Sequence, residues 1–591
     1  MDAVNLLRPE YPRPQLVREA WQNLNGRWSF EFDPGSSGTA RNLHKSTGLE
    51  EWINVPFCPE SELSGIGRTD FCDSVWYQRS IAIPREWEGR RVLLHFGAVD
   101  FECEAFLDGV SVGVHYGGSS SFWFDLTRQV TPGSEHNLVV RVFDDVRSGN
   151  QPVGKQSKLY ASHGCHYTRV TGIWQTVWME AVDPAGIEHL HIVPDLDGSR
   201  FILTPTYHST PRGYTLRARL LSDGQAVDEQ TVPAGQLGPL TLNVADARPW
   251  SPDDPFLYDI ELDVINAEGQ AVDSVRSYAG LRKVHVEGNR IFLNNEPIYL
   301  RLVLDQGFYP DGIWTAASDA ALRRDIELSM AAGFNGARLH QKVFEERFHY
   351  WADKLGYLTW GEFADWGIGV HSMARSRPDP TVSMSILNLI DEWREVVRRD
   401  RNHPSIIAWT PLNETHAADL EMHRRYHRMV YDLTRQLDPT RPINDASGWI
   451  HVKTDLWTVH DYYQDPEKLR DQLTPDDAGV FRCRAQKEPE YDGQPYLIDE
   501  FGGIKWVPEE RRGSAEGSWG YGDEPETLEQ FHERLEGLVD VVLSFPHICG
   551  YCYTQLTDVE QEQNGIYNYD RTTKFDMERI AKVFGKTPES F

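Results

Sequence analysis

The sequence predicts a multidomain chain of the β plus α/β class. A jelly-roll β-sandwich is expected over 1–182, an immunoglobulin-like β-sandwich over 183–283, and a (β/α)8 TIM barrel over 284–591. Three observations carry this. The chain has 591 residues, too many for one hydrophobic core. Short alternating runs between turn signals fill the first half, whereas strand-then-helix units fill the second. Two apolar runs in that second half, Ile406-Ile407-Ala408-Trp409 and Tyr496-Leu497-Ile498, each lead into a glutamate, Glu414 and Glu500.

In the first domain, runs at 75–81, 91–96, 104–107 and 137–142 alternate apolar and polar residues, and Asp108-Gly109 reads as a hairpin turn. The spacing fits a sandwich or jelly roll. Runs at 214–220 and 257–262, with a proline-rich corner at 249–255, fit a smaller sandwich. The barrel begins with a strand at 297–303. Ser318 is expected to cap a helix with Leu322, Ile326 and Met330 on one face and Gly333 at its end. Strand two falls at 334–340, a helix runs through Tyr350 and Trp351 to Gly356, and strand three falls at 357–360. A long helix around 386–399 precedes strand four, which carries Glu414. Further strands are expected at 442–444, 456–461, 496–500 and 549–555. The fifth, at 442–444, is the least marked. Eight strands over about 300 residues match a (β/α)8 barrel.

Composition narrows the function. With 59 basic and 89 acidic residues the formal charge is −30, which disfavours nucleic acid or an anionic membrane as partner. No window reaches the ~18 apolar residues of a membrane span. The seven cysteines are scattered and odd in number. Cys549 and Cys552 form a lone C-x-x-C without a second pair at zinc spacing, and read as strand residues. A reducing compartment fits, and residues 1–14 show no apolar signal core. The expectation is a cytoplasmic protein.

Side chains at the C-terminal ends of barrel strands face the mouth. On the eight-strand count, Glu414 closes strand four and Glu500 strand seven, so both open onto it. Two facing carboxylates are the equipment for glycosidic bond cleavage: one ionised and attacking, the other donating a proton to the leaving oxygen and then activating water. Separate roles need separate environments, because like charges push one pKa up. Order along the chain does not assign the roles.

The motifs Thr410-Pro411-Leu412-Asn413-Glu414 and Ile498-Asp499-Glu500-Phe501-Gly502 resemble the two catalytic motifs of glycoside hydrolase family 2, which includes β-galactosidases, β-glucuronidases and β-mannosidases. The resemblance extends along the chain. The stretch 108–127 is similar to the family's N-terminal sugar-binding domain, Thr171-Gly172-Ile173-Trp174-Gln175 to its closing motif, and 281–298 to its barrel entry. It implies that Glu414 is the acid/base, Glu500 the nucleophile and Asn413 a ligand of the sugar 2-hydroxyl. It implies that Arg338, in Phe334-Asn335-Gly336-Ala337-Arg338, supports the nucleophile. His340, His460, Tyr462, Tyr553, Asp305 and Trp360 complete the candidate substrate-binding set, with Tyr462 close to the nucleophile and Tyr553 as a stacking platform. No metal ligand set and no organic cofactor is expected.

The sequence departs from the family at Leu304-Asp305-Gln306-Gly307 and at Leu339-His340-Gln341-Lys342, and it lacks a clear Asn-x-Lys in the last barrel loop, where glucuronidases hold the substrate carboxylate. The expected activity is a retaining exo-glycosidase acting on a terminal, galactose-like sugar of a glycoside or oligosaccharide. Galactofuranosidase, arabinofuranosidase, β-mannosidase and β-glucuronidase are the alternatives within the family. Outside it stand a non-catalytic carbohydrate-binding protein and a barrel lyase or metal-dependent hydrolase. Oligomeric state is left open.

Overall fold

The computed structural model describes residues 7–589 except 237, 368–379, 416–419, 478 and 515–516. Its N-terminal part is a sandwich of a four-stranded and a six-stranded antiparallel sheet. The larger sheet contains Ser74–Ala82, Glu135–Phe143 and Glu102–Leu107, and the smaller contains Arg91–Phe96 and Val177–Val182. Val75, Tyr77, Ile81, Val92, Leu94 and Phe96 alternate inward to make the core between the sheets. Asp108 (φ 50°) and Gly109 (φ 82°) form the expected turn between Glu102–Leu107 and Val110–Tyr116, the left-handed pair a two-residue hairpin requires.

The next sheets, of three strands and four strands, span Ile187–Asp195 to Ala271–Ala279 around a core that includes Leu216, Ile260 and Val275. The buried Arg282 then donates to the carbonyls of Pro404 (2.8 Å) and Ile406 (2.9 Å), tying this layer to the strand that leads to Glu414.

The C-terminal part is a parallel sheet of seven strands: Leu300–Asp305, Gly336–Leu339, Leu358–Glu362, Ile406–Thr410, Trp457–Asp461, Tyr496–Gly502 and Ile548–Thr554. The first strand pairs with both the second and the last, which curls the sheet into the TIM barrel. The expected fifth strand is reduced to isolated parallel bridges, Trp409↔Ile443 and Asn413↔Ser447. Pro442 and the run Asn444-Asp445-Ala446-Ser447 supply little β-branched surface to sustain a ladder. Ser318 caps the helix Asp319–Ala331 as expected, accepting from Ala321 N. Met330, expected on the buried face, is 40% exposed. The burial of Leu322, Asp325, Ile326 and Ser329 shows the inward stripe lying beside it. Cys549 and Cys552 are buried free thiols in the barrel core. No described helix is long and apolar enough to cross a membrane.

Strand parity decides what reaches the barrel interior, because successive side chains point to opposite faces. Leu300, Leu302, Leu304, Leu358, Trp360, Leu497 and Cys552 fill one inner cluster. Val303, Ala337, Leu339, Val459, Ile498, Tyr551 and Tyr553 pack outward against the helices.

Candidate active site

Arg338 is the hub of the mouth. It shares the inner parity, lies opposite Trp360 in register and is fully buried. Its Nε donates to Glu362 Oε2 (2.5 Å). Nη1 donates to Asp499 O (2.8 Å), and Nη2 to Glu500 Oε1 (2.9 Å) and Asn413 Oδ1 (2.8 Å). One guanidinium thus binds the ends of four strands, a task its planar fork suits and an ammonium does not. His340 Nδ1 sits 2.8 Å from both Glu362 and Arg338 Nη2. Burial, then Lys155 and Arg338, push the His340 imidazole well below its ordinary range, so it is neutral.

A bulge aims Glu500. Pairing between Trp457–Asp461 and Tyr496–Gly502 shifts from Val459↔Ile498 to His460↔Glu500, leaving Asp499 as the extra residue. Both carboxylates therefore enter the site, where regular alternation would send one outward. Tyr462 OH donates to Glu500 Oε2 (2.7 Å), lies 3.0 Å from Thr554 Oγ1, and its ring stacks on Tyr521 at 3.5 Å. Burial works against ionisation of Glu500, but His460 and Arg338 outweigh it and hold the carboxyl down to about 2. It is an anion with both oxygens hydrogen-bonded.

Glu414 differs. It follows the Ile406–Thr410 strand in a left-handed conformation (φ 46°), which a non-glycine residue adopts at a cost. Its N–H donates to Ser447 O (2.9 Å), which fixes that turn. Its side chain is 23% exposed, against 7% for Glu500. Its one side-chain partner among the described residues is His460, whose Nδ1 lies 2.7 Å from Glu414 Oε1 and 3.3 Å from Glu500 Oε2. His460 Nε2 faces Ser447 Oγ (2.9 Å) and Asp499 Oδ1 (3.3 Å). The ring packs against Gly448 (φ 58°), where an added Cβ would sit 2.6 Å from His460 Cδ2. Burial disfavours its charged form, yet Glu500 and Asp499 overcome burial and hold its pKa well above the ordinary value. His460 is therefore an imidazolium set between the two glutamates.

Glu414, His460 and Glu500 each present a ligand atom within 4.8 Å of the others, the one group of described residues spaced to hold a metal ion. A cation there would displace the His460 proton, because a metal-bound imidazole is neutral. Asn413 Nδ2 is buried without a partner among the described residues while its Oδ1 is fixed by Arg338. That leaves the amide NH2, with its two N–H donors, for a ligand.

Of the residues expected from sequence, Glu414, Glu500, Asn413, Arg338, His340, His460 and Tyr462 come together. Three do not. Tyr553 lies on the outer parity and packs on Phe501 (5.6 Å) and Phe584 (4.9 Å), away from the mouth. Trp360 is inward but lies in the buried barrel core beneath the mouth, among Leu302, Leu358 and Cys552. Asp305 is on the outer parity of the first strand and accepts from Gly307 N (2.9 Å). Burial and the neighbouring Asp325 raise its pKa to about 6. Glu362, Asp499, Tyr521 and Trp366 were missed. Glu362 carried a signal, since it shares parity with Trp360 at the end of an apolar strand. Trp366, whose Nε1 donates to Asn413 O (3.0 Å), lies in a loop without periodicity.

A barrel whose mouth holds one fixed carboxylate and one adjustable carboxylate is the architecture of a carbohydrate-cleaving enzyme. Family models support that class: the sugar binding domain of glycosyl hydrolases family 2 matches residues 64–200, a second model of that family matches 187–282, and its TIM barrel domain matches 284–542. The chain belongs to glycosyl hydrolase family 2 and is a glycoside hydrolase. It is 27% identical over 492 residues to a β-glucuronidase of Paenibacillus borealis, covering 78% of this chain and 80% of that one. It is 24% identical over 466 residues to a β-galactosidase of Photobacterium profundum, covering 76% of this chain but only 41% of that longer protein. A β-glucuronidase from Ruminococcus gnavus, solved in complex with D-glucuronic acid, shares the fold at a TM-score of 0.80 and 21% identity, over 98% of this chain and 100% of the other.

Proposed function

We propose that the protein is a retaining exo-glycosidase with Glu500 as nucleophile and Glu414 as acid/base, acting on a neutral, galactose-like glycone. The observation that carries this reading is the asymmetry of the two carboxylates across a gap of no more than 4.8 Å between ligand oxygens. Retaining enzymes hold their carboxyls about 5–5.5 Å apart, whereas inverting enzymes leave about 6.5–9.5 Å for a water.

Glu500 keeps its negative charge through Arg338 and Tyr462 and attacks the anomeric carbon, forming a glycosyl ester as the leaving oxygen departs. The proton for that oxygen is the one Glu414 and His460 share across 2.7 Å; Glu414 passes it to the leaving oxygen, and the pair is then one proton short. In the second half, Glu414 takes a proton from water, which attacks the same carbon and releases Glu500. The unpartnered Asn413 amide donates to the sugar as charge develops.

A neutral glycone is favoured by the acidic side chain of Glu562, which stands in the last barrel loop where a sugar carboxylate would be repelled. A glucuronide is the second reading, favoured by the name of the P. borealis relative. Kinetics on nitrophenyl β-galactoside, β-glucuronide, β-mannoside, galactofuranoside and arabinofuranoside separate them. In a Glu414→Ala variant, azide is expected to restore turnover of an activated aryl glycoside and give a glycosyl azide of retained configuration. Absence of azide rescue would contradict the role of Glu414.

A further inference from the structure

A strap from the N-terminal sandwich crosses to the barrel mouth. Val153 N donates to Trp366 O (2.7 Å) and Gly154 N to Ala364 O (3.1 Å). Gly154 (φ 56°) lies so close to the end of the second barrel strand that a Cβ would sit 2.3 Å from Gln341 O. Only glycine permits that approach. The next residue is Lys155. Its carbonyl accepts from Tyr167 N, and Ser157 N donates back to Tyr167 O, each at 2.8 Å. Tyr167 OH in turn donates to Glu562 Oε2 (2.6 Å), and Asn564 Nδ2 donates to Glu562 Oε1 (3.1 Å). One tyrosine therefore links the lysine of one domain to the glutamate of the other.

Lys155 is only 6% exposed. Among the described residues its ammonium has no hydrogen bond or ion pair, and it lies 5.5 Å from the Trp366 ring. Other buried lysines are satisfied: Lys342 donates to two carbonyls and Lys574 pairs with Asp558. Lys155 is close enough to the site that its charge counts at His340, Glu500 and Glu562. It nevertheless stays beyond ion-pair distance of every described carboxylate. The lysine's charge reaches Glu562 without an ion pair between them, and a cation and an anion so placed can receive groups that both donate and accept.

We infer that Lys155 and Glu562 form a glycone-recognition pair across the domain junction, Lys155 donating to and Glu562 accepting from neighbouring hydroxyls at the end of the sugar remote from the anomeric carbon. This rests on the reading that Glu414 and Glu500 cleave a neutral glycoside, and it assigns a specificity role to residues outside the glutamate centre. A hydroxyl pair satisfies both charges, whereas a uronate satisfies the lysine and is repelled by the glutamate.

The test combines protein variants with altered sugars. Lys155→Met, Lys155→Gln, Glu562→Gln and the double variant are compared with the unaltered protein on nitrophenyl β-galactoside, its 3-, 4- and 6-deoxy analogues, and nitrophenyl β-glucuronide. Each single change is expected to lower kcat/KM on the intact sugar about 10- to 100-fold, mainly through KM. At least one deoxy sugar should lose far less on Lys155→Met than the intact sugar does, a coupling that a merely structural role would not produce. Glu562→Gln should raise the glucuronide-to-galactoside ratio. If Lys155→Met unfolds, the same pattern is read from Lys155→Gln and Glu562→Gln. Equal losses on every sugar, or kcat/KM within twofold of the unaltered protein, would overturn the pair while leaving the glutamate mechanism standing. A preference for glucuronide that collapses in Lys155→Met would overturn the neutral-diol assignment. Loss of the galactoside reading would show separately, as absence of galactoside turnover in the unaltered protein.

Discussion

Two buried arginines organise two charged networks, and they differ in what is left unfilled. Arg18 lies at the junction of the two sandwiches. Its Nε and Nη2 donate to Asp273 (2.8 and 2.9 Å) and its Nη1 to Glu180 (3.2 Å). Glu180 also accepts from Tyr11 OH (2.6 Å) and Trp178 Nε1 (2.9 Å). Both of its oxygens are occupied, and nothing at that carboxylate is offered to solvent. Arg338 lies at the barrel mouth with more partners, but its network keeps Asn413 Nδ2 without a partner among the described residues and Glu414 partly open. A closed network holds domains together, whereas an incomplete one is finished by substrate. The pattern of unfilled hydrogen bonds, more than the presence of charge, separates structure from chemistry here.

The sharpest way to break this contrast is to change the atoms that react. Glu500→Gln keeps the shape and removes the nucleophile, and kcat/KM on the best aryl glycoside should fall by about 10^4-fold or more, with melting temperature little changed. Arg338→Met strips Glu500, Glu362 and Asn413 of their shared donor. Activity should fall by roughly 10^3-fold with a measurable loss of stability, because the buried carboxylates lose their counter-charge. Arg18→Met should do the converse. Unfolding free energy should drop by about 3–5 kcal/mol, while kcat per folded molecule stays within twofold. Burial raises the Glu180 carboxyl, but His95 and Arg18 hold it to about 2. With a folded pKa below the ordinary value of about 4.3, Glu180 contributes stability above that value and loses it as pH falls toward 2. That acid-side loss should shrink in Arg18→Met, as urea titrations at stepped pH would record.

Among the changes at the mouth, His460→Asn has the smallest expected effect on rate, about 10- to 100-fold at neutral pH. Its mark is in the pH profile. The raised pKa of His460 means the shared proton stays on the His460–Glu414 pair until pH rises through that value. The alkaline limb of kcat/KM should therefore move toward lower pH in the variant, while the acid limb, governed by Glu500, should move toward higher pH, because His460 is the foremost group holding that carboxyl down to about 2.

Much of this site was legible because barrel strands advertise their ends. Arg338, His340, Asn413, Glu414, His460, Tyr462 and Glu500 all follow short apolar runs, and an apolar run that ends in polar residues marks a mouth. The residues that do not join the site fail for two reasons. Tyr553 and Asp305 lie at strand ends too, but on the outward parity, which period-two alternation decides, whereas Trp360 is inward but one layer too deep. Parity alone would also have mistaken one member of the Asp499–Glu500 pair, because a bulge resets it. The left-handed turn at Glu414 and the reduced fifth strand are tertiary outcomes of the bonds to Ser447. Lys155, Tyr167 and Glu562 sit in loops of different domains, and no local pattern joins residues so far apart along the chain.

The most direct measurement is mass-spectrometric trapping. The protein is incubated with an activated 2-deoxy-2-fluoro glycoside of the sugar it hydrolyses fastest, digested, and searched for the modified peptide. The expected result is one sugar per chain, bound as an ester to Glu500, with full activity returning as the adduct hydrolyses. A sugar attached to Glu414, or steady turnover to a product of inverted configuration with no adduct, would contradict the assignment of the two glutamates.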